Sequence, residues 1–239
     1  MKTQQRAHTK EEIIATYNAM YTQPGKLRDA AALYRWVLDL LSPQKGAQLL
    51  DVACGEGVLV RLAEARGVHA IGIDVAWRAA IIAQQSTCGR IIVGEGEALP
   101  FPDATFDFVT NLGSLEHFID PEQGVQEMRR VLKPGGVAAV LLPNSYYLAD
   151  IIWHVWRTGY GPNHKQPLER FATFGEWRDM LEAGGFHVEK GLKYNFLFPR
   201  SREDWQWYFQ HPRKFLYLAV APLMPFHLSY SFLYICRAL

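Results

Sequence analysis

One stretch in the first quarter of the chain limits the possible folds more than any other. Residues 49–52 form an apolar run that includes Asp51, a glycine-containing loop covers 53–57, and an amphipathic segment follows. This order predicts a buried parallel strand that turns tightly into a helix. Gly55 and Gly57 let a ligand approach the backbone without an intervening Cβ, and the free N–H groups of a helix N-terminus suit a carboxylate or phosphate. We therefore expect a ligand-binding turn, although a tight turn without a ligand would also select glycine.

The glycine spacing separates two classes of nucleotide-binding loop. A dinucleotide-binding loop has the pattern G-x-G-x-x-G, whose third glycine allows close packing of the helix. Counted from Gly55, the third position is Val60, so the dinucleotide pattern is not met. The pattern that remains is an acid followed by Ala53, Gly55 and Gly57. It resembles motif I of the class I S-adenosylmethionine-dependent methyltransferases.

A second acid lies where the ribose of a nucleoside would be bound. Residues 68–73 form another apolar strand that ends at Asp74, about 20 residues after the glycine loop. An acid at the end of the second strand is placed to accept hydrogen bonds from both ribose hydroxyls. The two acids and the loop together therefore favour a nucleoside-containing ligand.

Four further segments extend the resemblance. Residues 94–101, 106–109, 115–117 and 130–136 follow in the order and spacing of the motifs in methyltransferases related to ubiquinone- and menaquinone-pathway enzymes. By these motifs the chain is identified as a member of the class I methyltransferases, in the type 11 methyltransferase-domain group. The resemblance covers roughly residues 45–190.

The resemblance implies an α/β fold with a doubly wound, seven-stranded, Rossmann-like sheet. Its last strand is antiparallel and lies between the fifth and sixth. The alternation of apolar patterns after residue 48 agrees with such a sheet. This alternation predicts strands near 48–53, 69–74, 90–93, 105–111, 136–143, 187–195 and 229–236. It predicts helices near 57–66, 76–86, 121–132 and 174–184.

The length of 239 residues fits one domain with elaborations. We predict an N-terminal helical cap over residues 1–44 and a methyltransferase domain over 45–239. Two insertions, 144–172 and 196–228, are not required by the cofactor-binding sheet and are predicted to form a lid over the substrate.

The cofactor-binding residues are implied by the positions that match the family motifs. Asp51 is expected to support the loop and the amino group of the methionine moiety, Asp74 to bind the ribose, and Glu95 to accept the adenine amino group. The full set implied by the resemblance is Asp51, Ala53, Cys54, Gly55, Gly57, Asp74, Val75, Glu95, Gly96, Asn111 and Leu112.

The N-terminal helix adds two tyrosines to this set. Thr9 and Glu12 form a capping box that starts a helix with one apolar face. In related methyltransferases such helices cover the cofactor, often with tyrosines facing the sulfonium, which implies this role for Tyr17 and Tyr21. The alternative is that both tyrosines simply pack on the domain.

His117 is the candidate catalytic base. A base is useful where the acceptor must lose a proton, and histidine is the usual one. In this family a Leu-Glu-His sequence at this point is often structural, so both roles stay open. Some relatives hold a divalent metal with a Glu-x-x-Glu-His sequence, but Gly113 replaces the first acid here, and we expect no metal.

Aromatic residues are concentrated in the two insertions. Ligands of open α/β sheets bind beyond the carboxyl ends of the strands, and the first insertion leaves such an end. We therefore predict that Tyr146, Tyr147, Trp153 and His164 bind the acceptor, which would suit a flat or lipid-like molecule. Packing of a lid onto the sheet is the alternative explanation for these aromatics.

The charge balance argues against nucleic acid as a partner. The chain has 25 Lys and Arg against 24 Asp and Glu, whereas a domain with a wide phosphate-binding face is normally strongly basic. Residues 215–235 contain no Asp, Glu, Lys or Arg, but Pro222 and Pro225 interrupt them, so we expect no membrane span. The polar N-terminus lacks the apolar core of a secretion signal. We expect a soluble cytoplasmic protein, with peripheral membrane contact and the oligomeric state left open.

Together these features predict an enzyme that uses S-adenosylmethionine to methylate a small molecule, at oxygen, with a hydrophobic or aromatic acceptor. Two other classes stay open. A methyltransferase of RNA or protein is disfavoured by the near-zero net charge. It is also disfavoured because residues 110–113 read Thr-Asn-Leu-Gly and not an Asn-Pro-Pro-Tyr type motif. A binding or accessory protein with this fold is disfavoured because Asp51, Gly55, Gly57 and Asp74 are all present.

Overall fold

The computed structural model describes residues 9–22, 27–162 and 167–239. These residues form a seven-stranded sheet with the strand order β3-β2-β1-β4-β5-β7-β6. The strands are β1 Gln48–Val52, β2 His69–Asp74, β3 Arg90–Val93, β4 Phe106–Leu112, β5 Leu132–Pro143, β6 Phe186–Tyr194 and β7 Ser231–Ala238. The first five pair in parallel, and β7 pairs antiparallel with both β5 and β6. The predicted doubly wound sheet and the place of its antiparallel strand are confirmed.

Helices flank the sheet on both faces. They are α1 Lys10–Met20, α2 Ala31–Leu41, α3 Val58–Glu64, α4 Trp77–Ser86, α5 Pro121–Val131, α6 Trp153–Thr158, α7 Phe174–Ala183, α8 Arg202–Gln210 and α9 Pro212–Val220. The predicted capping box of Thr9 and Glu12 is present at the start of α1. None of the described helices is long and apolar enough to cross a lipid bilayer.

The sheet separates two buried clusters, as a doubly wound fold requires. Leu38 of α2 and Leu59 of α3 pack on one side. Val125 of α5 and Leu181 of α7 pack on the other. All four side chains are fully buried, so the helices on both faces are fixed against the sheet.

Two helices inside the insertions were not predicted. Helix α6 has six residues, too few to show an apolar period, and none of them is buried. The buried face of α8 includes an acid, Asp204, which accepts hydrogen bonds from the Ala32 N–H and the Arg35 guanidinium. A polar residue on a buried face conceals the helical pattern in the sequence.

The fifth strand is longer than predicted. It begins at Leu132 and not near residue 136, because Leu132 pairs with Phe106 across an irregularity in the register of β4 and β5. The Pro-Gly-Gly sequence of residues 134–136 favours a turn, and these residues form a bulge without partners in the register of β4 and β5.

The strand order reverses next to β1, where a ligand crevice is expected. Asp51 of β1 lies opposite Gly72 of β2 on one side and opposite Thr110 of β4 on the other. The carboxyl ends of these three strands therefore meet at one edge of the sheet.

Candidate functional site

The loop after β1 has an unusual backbone. Ala53, Gly55 and Gly57 have φ angles of 58°, 53° and 73°, in the left-handed region. This conformation costs a residue with a Cβ about 1–2 kcal/mol, so the strain at Ala53 must be offset by its surroundings. The Cys54 N–H supports the loop with a 3.0 Å hydrogen bond to the Ile73 carbonyl oxygen.

The two glycines of the loop serve different purposes. A Cβ on Gly57 would lie 2.9 Å from the Cβ of Ala83, so this glycine lets α3 approach α4. A Cβ on Gly55 would instead lie 3.0 Å from the hydroxyl oxygen of Tyr21. Gly55 borders a cavity and Gly57 does not. Only Gly55 therefore exposes its backbone to a ligand.

Asp74 joins the second strand to this loop. Its Oδ2 accepts a 2.8 Å hydrogen bond from the Gly55 N–H, and its Oδ1 accepts one of 2.8 Å from the Ala76 N–H. The side chain is buried, and burial raises the pKa of Asp74 to about 6. Each carboxylate oxygen has a second lone pair for another donor.

Asp51 is a second buried carboxylate at the same edge. The Thr110 hydroxyl donates a 2.7 Å hydrogen bond to its Oδ1. Burial raises the pKa of Asp51 to about 7. The Thr110 hydrogen bond lowers this pKa, and the charge of the nearby Asp74 raises it. Two carboxyl groups with such values would bind a cation or hydroxyl donors well once ionised.

These acids line a first cavity of about 190 Å³ at the carboxyl ends of β1, β2 and β4. The apolar face of α1 closes it. Most of the residues expected to bind the cofactor lie on its wall, namely Tyr17, Tyr21, Asp51, Ala53, Cys54, Gly55, Asp74, Val75, Gly96 and Leu112.

Three of the expected cofactor residues do not border this cavity: Gly57, Glu95 and Asn111. The Glu95 carboxylate is 2.6 Å from the Lys10 ammonium, and Glu97 lies on the wall instead. Asn111 is fully buried, and its side chain bonds the Val52 carbonyl oxygen and the Leu115 N–H. It therefore joins β4 to β1 and to the following turn.

Several residues of this wall were not predicted from the sequence. The α1 side chains Lys10, Ile13, Ile14 and Met20 border the cavity beside the two tyrosines. The apolar face of α1 was visible in the sequence, but its period does not tell whether the face covers a core or a cavity.

A second, larger cavity of about 410 Å³ adjoins the first. Both cavities are bordered by the same six residues, Leu27, Arg28, Tyr34, Leu112, Gly113 and His117. His117 therefore stands at the boundary, where its ring centroid is 6.2 Å from that of Tyr17. A group bound in one cavity would face a group bound in the other.

The predicted acceptor residues are divided by the structure. Tyr147 is buried on the wall of the second cavity, and its ring packs edge-on against Tyr230 at 5.1 Å. Tyr146 and Trp153 border neither cavity and are both 55 % exposed. Trp153 packs beside Trp156 on the outward surface of α6. The remaining candidate, His164, lies outside the described residues.

The second cavity is more polar than the aromatic composition of the two insertions indicated. Its wall includes acids and bases from five separated segments: Arg28, Asp29, Glu116, His117, Asp150, Glu169, His211 and Lys214. Sequence reasoning missed these residues except His117. No motif connects them, because they come together only through the fold.

His117 is held by its Nδ1 atom, which is 2.5 Å from the carbonyl oxygen of Leu168. A carbonyl oxygen accepts hydrogen bonds, so the proton lies on Nδ1 and the neutral ring keeps a lone pair on Nε2. This contact ties the turn after β4 to the segment near Arg170, whose guanidinium also bonds the Phe118 and Ile119 carbonyl oxygens. The Nδ1 atom thus makes a structural contact, and the Nε2 atom is available as a base.

The described part of the chain contains no group of three His, Cys, Asp or Glu side chains suited to holding a metal ion. Glu116 and His117 lie together, with 3.7 Å between the Oε1 and Nε2 atoms.

Comparison with known proteins agrees with this geometry. A family model described as a methyltransferase domain matches residues 50–140. The ubiquinone biosynthesis O-methyltransferase of Roseobacter denitrificans is 30 % identical over 190 residues, covering 71 % of this chain and 71 % of that protein. The chain belongs to the S-adenosylmethionine-dependent methyltransferases.

Two other proteins are similar to this chain over part of their length or in fold alone. A probable S-adenosylmethionine-dependent methyltransferase of Mycolicibacterium smegmatis is 33 % identical over 153 residues, which are 62 % of this chain and 54 % of that protein. The chain thus spans about half the length of that relative. The crystal structure of the [4+2]-cyclase SpnF superposes with a TM-score of 0.66 at 20 % identity, covering 95 % of this chain and 93 % of that one. That likeness shows the fold alone, since one fold supports different reactions.

S-adenosylmethionine is the cofactor of this methyltransferase family, and the first cavity fits it. Asp74 can accept hydrogen bonds from ribose hydroxyls, and Asp51 can face the ammonium of the methionine moiety. Gly55, which has no side chain, borders the same cavity as these two acids. The apolar side chains of α1 cover the opposite side.

Proposed function

We propose that this methyltransferase transfers a methyl group from S-adenosylmethionine to an oxygen atom of a small hydrophobic or aromatic acceptor. The observation that carries the proposal is the junction of the two cavities at Leu112, Gly113 and His117. The first cavity would hold the cofactor and the second the acceptor. The name of the Roseobacter relative, an O-methyltransferase, supports oxygen as the acceptor atom.

The cofactor, when bound, supplies a methyl group on a positively charged sulfur. Because no charged catalyst is obligatory for attack on such a group, the chain can contribute most by position and by exclusion of water. Tyr17 and Tyr21 of α1 would cover the cofactor, in keeping with the proposed role of residues 1–44 as a cap. Leu112 would lie beside the transferred group.

His117 would assist an acceptor that must lose a proton. With Nδ1 bonded to the Leu168 carbonyl oxygen, the Nε2 lone pair is the part of the ring available as a base. The ring borders both cavities, so a hydroxyl placed for methyl transfer would also be within reach of it. Tyr147 would form part of the acceptor wall.

The test is a methyl-transfer screen with labelled cofactor against quinone-pathway phenols, sugars and lipid head groups. We expect label in a phenolic product and no transfer in the Asp74→Ala variant. Tight cofactor binding without transfer to any compound would favour an accessory binding protein. Transfer to sugars or lipid head groups alone would contradict an aromatic acceptor.

A further inference from the structure

Glu116 is a buried acid with an unused oxygen. Its side chain is 5 % exposed, and within the described parts of the chain its Oε2 atom has no hydrogen-bond partner. A buried polar atom without a partner costs free energy that a typical fold avoids. Glu116 also borders the second cavity, so its carboxylate is a candidate for binding a donor group of a ligand.

The carbonyl oxygen of Glu116 is satisfied, while its Oε2 atom is not. The Glu116 carbonyl oxygen accepts hydrogen bonds from the Arg170 N–H at 3.2 Å and from the Arg170 guanidinium at 3.3 Å. The other carboxylate oxygen, Oε1, lies 3.7 Å from the Nε2 atom of His117, beyond a direct hydrogen bond. Arg170 thus fixes where the residue stands but leaves the carboxylate available.

The carboxylate lies close to where the two cavities meet. Glu116 borders the second cavity, and its neighbour His117 borders both. A Cβ built on Gly113, which also borders both cavities, would lie 3.9 Å from the Glu116 Oε1 atom. The absence of a side chain at Gly113 keeps the space beside the carboxylate open.

The electrostatic surroundings make this carboxyl a good hydrogen-bond acceptor. Burial raises the pKa of Glu116, His117 and a hydrogen bond from the Glu116 backbone oppose the rise, and the nearby Glu169 adds to it. A buried carboxylate of raised basicity attracts an O–H donor more strongly than an exposed one does.

We propose that Glu116 recognises the hydroxyl group of the acceptor, with its carboxylate accepting the hydrogen bond of that O–H. This inference rests on the proposed function and narrows it, because it restricts the acceptors to hydroxyl-bearing molecules. It makes Glu116 a specificity-determining residue of the second cavity, beside the Nε2 atom of His117. An acceptor methylated at carbon, without a hydroxyl at this point, would leave the carboxylate unsatisfied.

Ligand-observed NMR with phenol and anisole tests this directly. The two probes differ in the hydroxyl hydrogen, which a methyl group replaces in anisole. The protein is first saturated with S-adenosylhomocysteine so that the first cavity is filled. We expect phenol to bind the wild-type complex at least tenfold more tightly than anisole.

Two substitutions separate recognition from folding. Glu116→Leu removes the acceptor oxygens and should weaken phenol binding at least tenfold, while Glu116→Gln keeps one acceptor and should give an intermediate affinity. Anisole binding should differ little among the three proteins. The matched control Glu182→Leu, on the exposed surface of α7, should bind phenol as the wild type does.

Cofactor-product affinity and melting temperature, measured on the same samples, show whether each variant is folded. Equal binding of phenol and anisole to the wild type, no phenol binding at all, or unchanged phenol affinity in Glu116→Leu would overturn the role of Glu116. Failure of S-adenosylhomocysteine to bind the wild type would instead count against the proposed function.

Discussion

The backbone N–H of Gly55 donates a 2.8 Å hydrogen bond to the Oδ2 atom of Asp74. This bond joins the loop after β1 to the end of β2, so one carboxylate shapes the glycine loop and also faces the cofactor cavity. Loop geometry and the proposed ribose binding therefore depend on the same side chain.

Substitution of Asp74 should consequently affect both stability and binding. Asp74→Ala leaves the Gly55 and Ala76 N–H groups without their acceptor, so the melting temperature should fall. It also removes the proposed ribose contacts, each worth about 1.5–3 kcal/mol for a charged acceptor. Asp74→Asn, which keeps one acceptor oxygen, should be milder in both respects. Calorimetry that finds unchanged S-adenosylmethionine affinity in Asp74→Ala would remove the ribose assignment.

The two loop glycines offer a matched pair of variants. Gly55→Ala and Gly57→Ala both place a Cβ in a left-handed conformation, which costs about 1–2 kcal/mol each. Only Gly55 borders the first cavity. We expect both variants to melt earlier and Gly55→Ala alone to lose most of its cofactor affinity. Similar cofactor affinities in the two variants would indicate that the loop is merely a tight turn.

The sequence predicted the scaffold of this site better than its details. The seven strands followed from apolar alternation together with the family motifs, because burial on both faces of a sheet leaves a plain pattern. The spacing of glycines could not tell that Gly57 faces α4 while Gly55 faces the cavity. The direction of a Cβ depends on backbone angles that spacing does not specify.

The second cavity was the least predictable part. Its polar wall brings together Asp29, Glu116, Glu169 and Lys214, which are far apart in the chain. Their aromatic neighbours dominated the composition of the insertions, so an apolar site was expected. Exposure of Trp153 could not be foreseen because tryptophan is highly buried on average, whereas α6 buries none of its residues.

Cofactor binding should depend on pH through two carboxyl groups. Burial raises the pKa of Asp74 to about 6 and that of Asp51 to about 7. In the unfolded chain both titrate near about 4, so their contribution to the free energy of unfolding decreases as pH rises from about 4 to about 7. Hydroxyl donors and a cationic amino group favour the ionised forms, so the cofactor should bind more tightly as pH rises through this range.

Proton release measures this coupling. Calorimetric titrations near pH 6 in two buffers of different ionisation enthalpy should show that protons are released when S-adenosylmethionine binds. The Asp51→Asn variant should release fewer. Affinity that does not change between pH 5 and pH 8 would contradict ionisation of these carboxyls on binding.

Two aromatic residues of the first insertion should respond differently to truncation. Tyr147 is 5 % exposed, so Tyr147→Ala should lower the free energy of unfolding by about 3–5 kcal/mol. Trp153 is 55 % exposed, and Trp153→Ala should change it by less than about 0.5 kcal/mol. Chemical denaturation measures both. A large loss in Trp153→Ala would mean that α6 is packed more closely than its exposure indicates.

Chelation should leave methyl transfer intact. Gly113 replaces the first acid of the metal-binding sequence of some relatives, and Glu116 with His117 supplies two ligands, fewer than a tight site needs. Turnover is measured with and without EDTA on an acceptor from the labelled-cofactor screen. Loss of activity in EDTA that magnesium or manganese restores would assign a metal to these two residues.

We expect the reactive methyl group to lie where the two cavities meet, beside Leu112. An isotope-edited NOE experiment with S-adenosylmethionine labelled in its transferable methyl group, and protein labelled at leucine methyls, tests it. We predict a cross-peak to the Leu112 methyl groups that disappears in Leu112→Val, where the residue carries no label. Bound cofactor whose methyl group gives no contact with Leu112, or contacts Leu59 of α3 instead, would contradict this position of the methyl group.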